Sequence, residues 1–388
     1  MNKLMKPTIL SISLVTIMAG AAVAPALGSI ALAFTNTNPV FIKMILTIPA
    51  ILIIFISLLS GKLTEKFTKK SILIVGLLFY ICGGFGGSFA NSIYQLLFSR
   101  VILGVGVGLI LPLSTTLIAD FFSGDERTSM MGFSQASANL GGIITTILSG
   151  ALSKISWRYA FYVYLIGVLV LILIIFVLPE PERKETDNVK KLKVPLPIYK
   201  LTILAILTMV AFYAIPTNMA IFIESEKLGD SGIAGIVLSS LSLAAFIAGM
   251  LFTRITKTFK KLTIFSALIA MSAGYFGLSL SHNIVSVTIS IFVLGLGFGV
   301  ITPTLLVKAV SLVPKQSTTI ALSIISSGLF IGQFISPIIF DVTGKIFNNT
   351  SIRFGFKIME FELLLATIIS LVIVIKDNKI IKNESNEV

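Results

Sequence analysis

A chain of 388 residues that is 55% hydrophobic and 12% charged, with a mean hydropathy of +1.01, lacks the charge to cover a water-facing surface; a soluble domain carries about 25% charged residues. The composition describes a polytopic membrane protein and leaves no long soluble domain over. The net charge of +13 sits in short turns between apolar runs, which excludes the continuous basic face of a nucleic-acid binder.

Apolar runs predict spans at 7–33, 40–60, 71–90, 93–118, 127–153 and 157–178. After a polar connector they resume at 198–224, 231–252, 262–281, 284–309, 316–343 and 355–375. Such runs are long enough to cross a hydrocarbon core of about 30 Å. No barrel-type alternation is present, so the spans are helices that satisfy their own backbone hydrogen bonds. The first run follows Lys3 and Lys6 and contains AVAPA, imitating a secretory signal; the spans behind it predict an uncleaved first helix. The single cysteine, Cys82, excludes an intramolecular disulfide, and with one histidine besides no Cys/His metal cluster can form.

Between the second and third spans lies GKLTEKFTKK, residues 61–70, with Lys62, Lys66, Lys69 and Lys70 around one acid, Glu65. Lysine and arginine collect in cytoplasmic turns. Alternate turns carry Arg127, the connector bases from Arg183 to Lys200, then Arg254, Lys257, Lys260, Lys261, Lys308 and Lys315. The opposite side keeps Lys43, Lys154, Arg158, Lys227, Lys345, Arg353 and Lys357. The asymmetry predicts a multi-pass protein of the plasma membrane with both termini cytoplasmic. The connector PEPERKETDNVKKLKVPLP has no apolar face and reads as a flexible linker, residues 181–198, between bundles 1–180 and 199–388.

An internal repeat joins the halves. Gly61-Lys62-Leu63 is matched by Gly249-Met250-Leu251, and Lys66 to Lys69 by Arg254 to Lys257. Gly104, Gly106, Gly108 and Pro112 match Gly295, Gly297, Gly299 and Pro303, and Gly141 and Thr146 fall opposite Gly332 and Pro337. Three matches in one order at a spacing near 190 residues predict two pseudo-symmetric six-helix bundles, an all-α fold of twelve transmembrane helices with a site at the midplane.

The chain resembles the major facilitator superfamily over nearly its whole length, and most of all its twelve-span drug/proton antiporters. The family's pattern G-x-L-a-D-R-x-G-R-K is matched by Gly61, Leu63, Glu65, Lys66, Lys69 and Lys70, with Glu65 for Asp and Thr68 for the second Gly. Arg100, Gly104 and Gly106 match R-x-x-x-G-x-G of span four, and LPE at 178–180 resembles the close of span six. Span five departs, with Thr145-Thr146 and Ser149-Gly150 where antiporters often carry Gly-Pro and a paired glycine. The resemblance implies a monomeric secondary transporter that exports small organic compounds against inward proton flow. Metabolite uptake by symport or uniport is the alternative, and a non-transporting membrane sensor the rival of another class.

Candidate residues follow. Glu65 can pair with Arg127 in the next turn and form, with Gly61, Lys66, Lys69, Lys70 and Asp120, an inner gate, which the resemblance also implies; the other reading is a solvated loop acid. Arg100 lies inside the slab, where an arginine costs about 2.5–3.5 kcal/mol, so it must face the bundle interior. The resemblance gives it a part in proton coupling, and a structural arginine capped by carbonyls is the alternative. Proton coupling needs a carboxylate at slab depth. Glu224 is the first candidate, an interfacial acid on the other reading, with Glu360, Glu362 and Asp341 behind it. Gln135 and Asn139, four apart on one face, with Asn218 and Gln333, suit a neutral or weakly charged organic substrate or else bond helix to helix. GVGVG at 104–108 lies inside an apolar helix and is packing glycine, not a dinucleotide fingerprint. No P-loop, HExxH or nucleophile elbow is present, so neither an enzyme nor a cofactor is expected; the partners expected are substrate, protons and membrane lipids.

Overall fold

The computed structural model describes residues 4–181, 195–314 and 317–384. Most of the connector, and Lys315, lie outside them. Twelve long helices account for the described chain, with no strand among the described residues. They are α1 (Met5–Ala33), α2 (Pro39–Leu63), α3 (Lys69–Phe89), α4 (Ile93–Phe121), α5 (Gly124–Ser153) and α6 (Trp157–Val177). Then follow α7 (Leu196–Ser225), α8 (Ser231–Met250), α9 (Thr263–Leu280), α10 (Ile284–Ser311), α11 (Thr318–Ile346) and α12 (Ile352–Glu384). Among the described residues eleven helical stretches are long and apolar enough to cross a membrane. Between α8 and α9, where a plain turn was expected, the chain forms a short separate helix, Phe252–Phe259.

Helix starts follow the sequence. Asn38 accepts from the Val40 N–H ahead of Pro39, and Thr68 accepts from the Ser71 N–H. Ser92 accepts from Gln95 at the start of α4 and Asn283 from Ser286 at the start of α10, 191 residues on. The repeat therefore extends to the caps.

The helices divide into two compact units. The first holds α1 to α6 with Ile215–Ser242 and Gln333–Ile338; the second holds the remaining parts of α7, α8 and α11 with α9, α10 and α12. In lipid there is little hydrophobic force between helices, so close approach at small residues dominates packing. In the first unit a Cβ on Gly106 would lie 2.5 Å from the Tyr80 nitrogen of α3, and one on Gly108 would lie 2.7 Å from Ile56 of α2. Gly141 of α5 meets Leu14 of α1. In the second unit Gly297 would put its Cβ 2.5 Å from the Ala267 oxygen of α9, Gly299 meets Ala245 of α8, and Gly332 meets Ile206 of α7. Matched glycines thus make matched contacts within each unit. Large apolar side chains such as Phe55, Phe98, Phe176 and Phe361 remain exposed, as lipid-facing positions do.

α1 is interrupted. A 3-10 turn at Ala24–Ala26, built around Pro25, redirects the Ala26 N–H to the Val23 oxygen and releases the Ala22 carbonyl. The Ser149 hydroxyl of α5 takes up that carbonyl.

Candidate functional site

The turn at 64–68 is bound to two other helix ends. Asp120, near the end of α4, accepts from Lys69 Nζ at 2.6 Å with both side chains largely covered, 20% and 10% exposed. The carboxylate of Glu180, just past α6, accepts from the Lys69 and Lys70 backbone N–H groups at 2.8 and 3.1 Å. Lys70 Nζ donates to the Ile175 oxygen at 2.8 Å. A carboxylate on the free N–H groups of a helix start is favoured by hydrogen bonding and by the helix dipole. Glu180 is the residue that sequence reasoning missed. Its signal was an acid directly after an apolar span, within LPE.

Glu65, Lys66 and Arg127 are exposed, and no ion pair joins Glu65 to Arg127 among the described residues. Glu65 falls in the turn between the end of α2 and the Thr68 cap, and the acids that hold the turn come from α4 and the end of α6. Gly61 does not mark a helix contact here, since a Cβ would meet nothing within 4 Å.

Arg100 is 1% exposed. It donates to the Gly83 and Gly84 oxygens of α3 at 2.9 and 3.0 Å and to the Tyr164 hydroxyl of α6 at 2.9 Å. The Phe161 and Tyr164 rings lie 4.8 and 5.1 Å from the guanidinium carbon. Tyr164 donates onward to the Ala19 oxygen of α1 at 2.9 Å. A Cβ on Gly84 would lie 2.4 Å from the Tyr164 ring, and one on Gly87 would lie 2.9 Å from the guanidinium, so the glycines make the cradle. Carbonyls, a hydroxyl and two ring faces satisfy the cation, and no carboxylate among the described residues pairs with it.

Near the far end of α1, Ser29 donates to Glu224 Oε1 of α7 at 3.1 Å, and Glu224 Oε2 is shut away without a hydrogen-bond partner among the described residues. Gly28 makes room: a Cβ there would lie 2.5 Å from the Glu224 carboxyl carbon. α5 and α8 cross nearby at Gly150 and Gly235, where a Cβ on Gly150 would lie 2.9 Å from the Gly235 Cα. Beside the crossing Lys154 pairs with Asp230 at 3.2 Å, and Asp230 also caps α8 by accepting from Ile233 at 3.0 Å. Partial burial alone would raise the Asp230 carboxyl; the Ile233 N–H and Lys154 outweigh it and hold the group below its usual value.

Of the expected polar set, Gln135 is exposed and Asn139 half-buried on α5. Asn218, fully buried, donates to the Thr217 hydroxyl at 3.1 Å, and Gln333 is buried on α11; all four fall in the first unit. A buried hydroxyl pair, Ser13 and Ser134 at 2.6 Å, joins α1 to α5 beside Gln135. Glu362 on α12 keeps Oε1 buried without a hydrogen-bond partner among the described residues.

Twelve long helices, glycine crossings repeated in each unit and a basic turn clasped by two acids define a polytopic membrane transporter. The model of the Major Facilitator Superfamily matches residues 9–337, and the chain belongs to that family, whose members are transporters, not enzymes. Multidrug resistance protein 3 of Bacillus subtilis is 32% identical over 28% of this chain and 22% of that protein. Multidrug resistance protein 1 of the same organism is 26% identical over 66% of this chain and 68% of that protein. The chain thus spans about a fifth of the length of the first of these relatives. The crystal structure of the nucleoside transporter NupG superposes with a TM-score of 0.82 at 11% identity, over 95% of this chain and 99% of that one, a likeness of fold.

Proposed function

We propose that this chain is a secondary active transporter of the plasma membrane that exports small organic compounds or drugs in exchange for protons, by alternating access. The observation that carries the coupling is Glu224, a carboxylate in an apolar span with one oxygen closed off and undonated. Burying a carboxylate charge without a donor is costly, and taking up a proton removes that charge. The similarity to multidrug resistance proteins supports export as the direction.

On this reading residues 1–180 and 199–388 are the two moving bundles, 181–198 tethers them, both termini are cytoplasmic, and the monomer suffices. Gly61, Glu65, Lys66, Lys69, Lys70, Asp120 and Arg127 form the inner gate. Glu65 meets Arg127 in the state that closes that end, and Lys69–Asp120 anchors the turn. Arg100 holds α1, α3, α4 and α6 together next to the proton path, and Gln135, Asn139, Asn218 and Gln333 contact the substrate.

The test is proteoliposomes carrying a pH-sensitive dye, challenged with a panel of toxic organic cations and neutral drugs. Substrate-evoked proton movement that Glu224→Gln abolishes while substrate binding persists is the expected result. Transport that proceeds with no pH change, or a Glu224→Gln protein that couples normally, overturns the coupling assignment. Proton movement in the same direction as the substrate identifies a symporter instead.

A further inference from the structure

The short helix between α8 and α9 has two unlike faces and no buried residue. Phe252, Ile255 and Phe259 fall on one side at spacings of three and four, and Arg254, Lys257 and Thr258 on the other. Lys260 and Lys261 follow directly. No acid occurs between Met250 and Thr263, and among the described residues neither Arg254, Lys257 nor Lys260 has a side-chain partner. Met250 is 73% and Phe259 45% exposed, so the apolar side runs straight into the uncovered end of α8. Between the end of α8 and this helix lies an open hollow of about 460 Å³ lined by Met250, Leu251, Thr253, Arg254, Lys257 and Thr258.

A helix that joins two membrane spans and fully buries none of its residues lies at the boundary of the bilayer. Its apolar side then enters the acyl region and its cations stand at headgroup height. The hollow combines both chemistries, with apolar side chains at one edge and two cations and two hydroxyls at the other. We infer that this helix is a binding site for anionic phospholipid, the phosphodiester held by Arg254 and Lys257 and the acyl chains lying along Met250 and Leu251. The inference goes beyond the transport reading and is independent of the direction or coupling of transport.

The experiment is native mass spectrometry of the full chain in detergent, titrated with phosphatidylglycerol or phosphatidylcholine. The chain is expected to retain phosphatidylglycerol preferentially. The double variant Arg254→Gln/Lys257→Gln is expected to lose affinity for it roughly fivefold for each cation removed, with phosphatidylcholine unaffected. Equal retention of phosphatidylglycerol by variant and parent overturns the site. Displacement of the lipid by inorganic phosphate shows a soluble-anion site and overturns the lipid assignment. A second measurement needs no charge change: a fluorophore on Thr253→Cys in a Cys82→Ser chain, reconstituted in mixed vesicles. Brominated phosphatidylglycerol should quench it more than brominated phosphatidylcholine, and equal quenching sinks the proposal.

Discussion

The turn from α2 to α3 and the turn from α8 to α9 hold matched places in the repeat and are secured in opposite ways. The first is fastened to the ends of α4 and α6 through Asp120 and Glu180. The second has no acid of its own and holds no ion pair through Arg254, Lys257 or Lys260 among the described residues. The spacing of the repeat moves from 188 residues at Gly61 and Gly249 to 191 at Ser92 and Asn283. Nearly one helical turn has therefore been added in the second copy, where the extra helix forms. The position matching Asp120 at the larger spacing is Ser311. Duplicated loops with similar lysines thus diverge according to where acids remain on neighbouring helix ends. One has become a protein joint and the other a free basic helix.

The contrast can be broken most forcefully at Asp120. Asp120→Asn leaves the largely covered Lys69 ammonium without its partner and should lower stability by about 2 kcal/mol, with transport down about tenfold. Adding Lys69→Gln should do little further damage. Thermal unfolding of the two single variants and the double one measures the coupling, and simple additivity would refute the joint. Next in size is Glu180→Gln, expected to cost about 1 kcal/mol through weaker capping of α3. Faster amide exchange confined to Lys69 and Lys70 is its signature, and unchanged exchange would remove Glu180 from the clasp.

The free turn should respond differently. Arg254→Gln/Lys257→Gln should leave unfolding in detergent within about 0.5 kcal/mol of the parent, because exposed charges without partners contribute little. A large loss there would reveal a protein contact. Smallest of all are Gly61→Ala and Gly249→Ala. A Cβ meets nothing within 4 Å at either site, so both should be neutral or stabilising by up to about 1 kcal/mol from helix propensity. A loss of transport without loss of stability would show that these glycines are needed in another conformation.

Much of this architecture could be read from the residues. Apolar runs set the spans, and α9 at Thr263–Leu280 falls within the expected 262–281. The glycine repeat predicted crossings that recur in both units because only a missing side chain lets helix backbones approach so closely. Arg100 was bound to be interior because lipid cannot hold it. Its partners were hidden, since the Gly83 and Gly84 carbonyls carry no side-chain signature. The gate was harder. Which helix ends meet is not reported by charge composition. Lys69 found Asp120, and Lys6 found Glu126 at 2.8 Å, one residue before Arg127. Span eight also ended earlier than its hydrophobicity suggested, at Met250, because Phe252 and Ile255 belong to the separate helix Phe252–Phe259.

The interruption of α1 looks like a place to flex, with a proline and a run of small residues. Its released Ala22 carbonyl is taken by Ser149, and the Ala19 oxygen just before it is taken by Tyr164. Both acceptors are thereby held from α5 and α6. Pro25 is accordingly a splint rather than a hinge: swivelling α1 there would draw the Ala22 and Ala19 oxygens away from Ser149 and Tyr164, so the helix must travel with its neighbours as one piece.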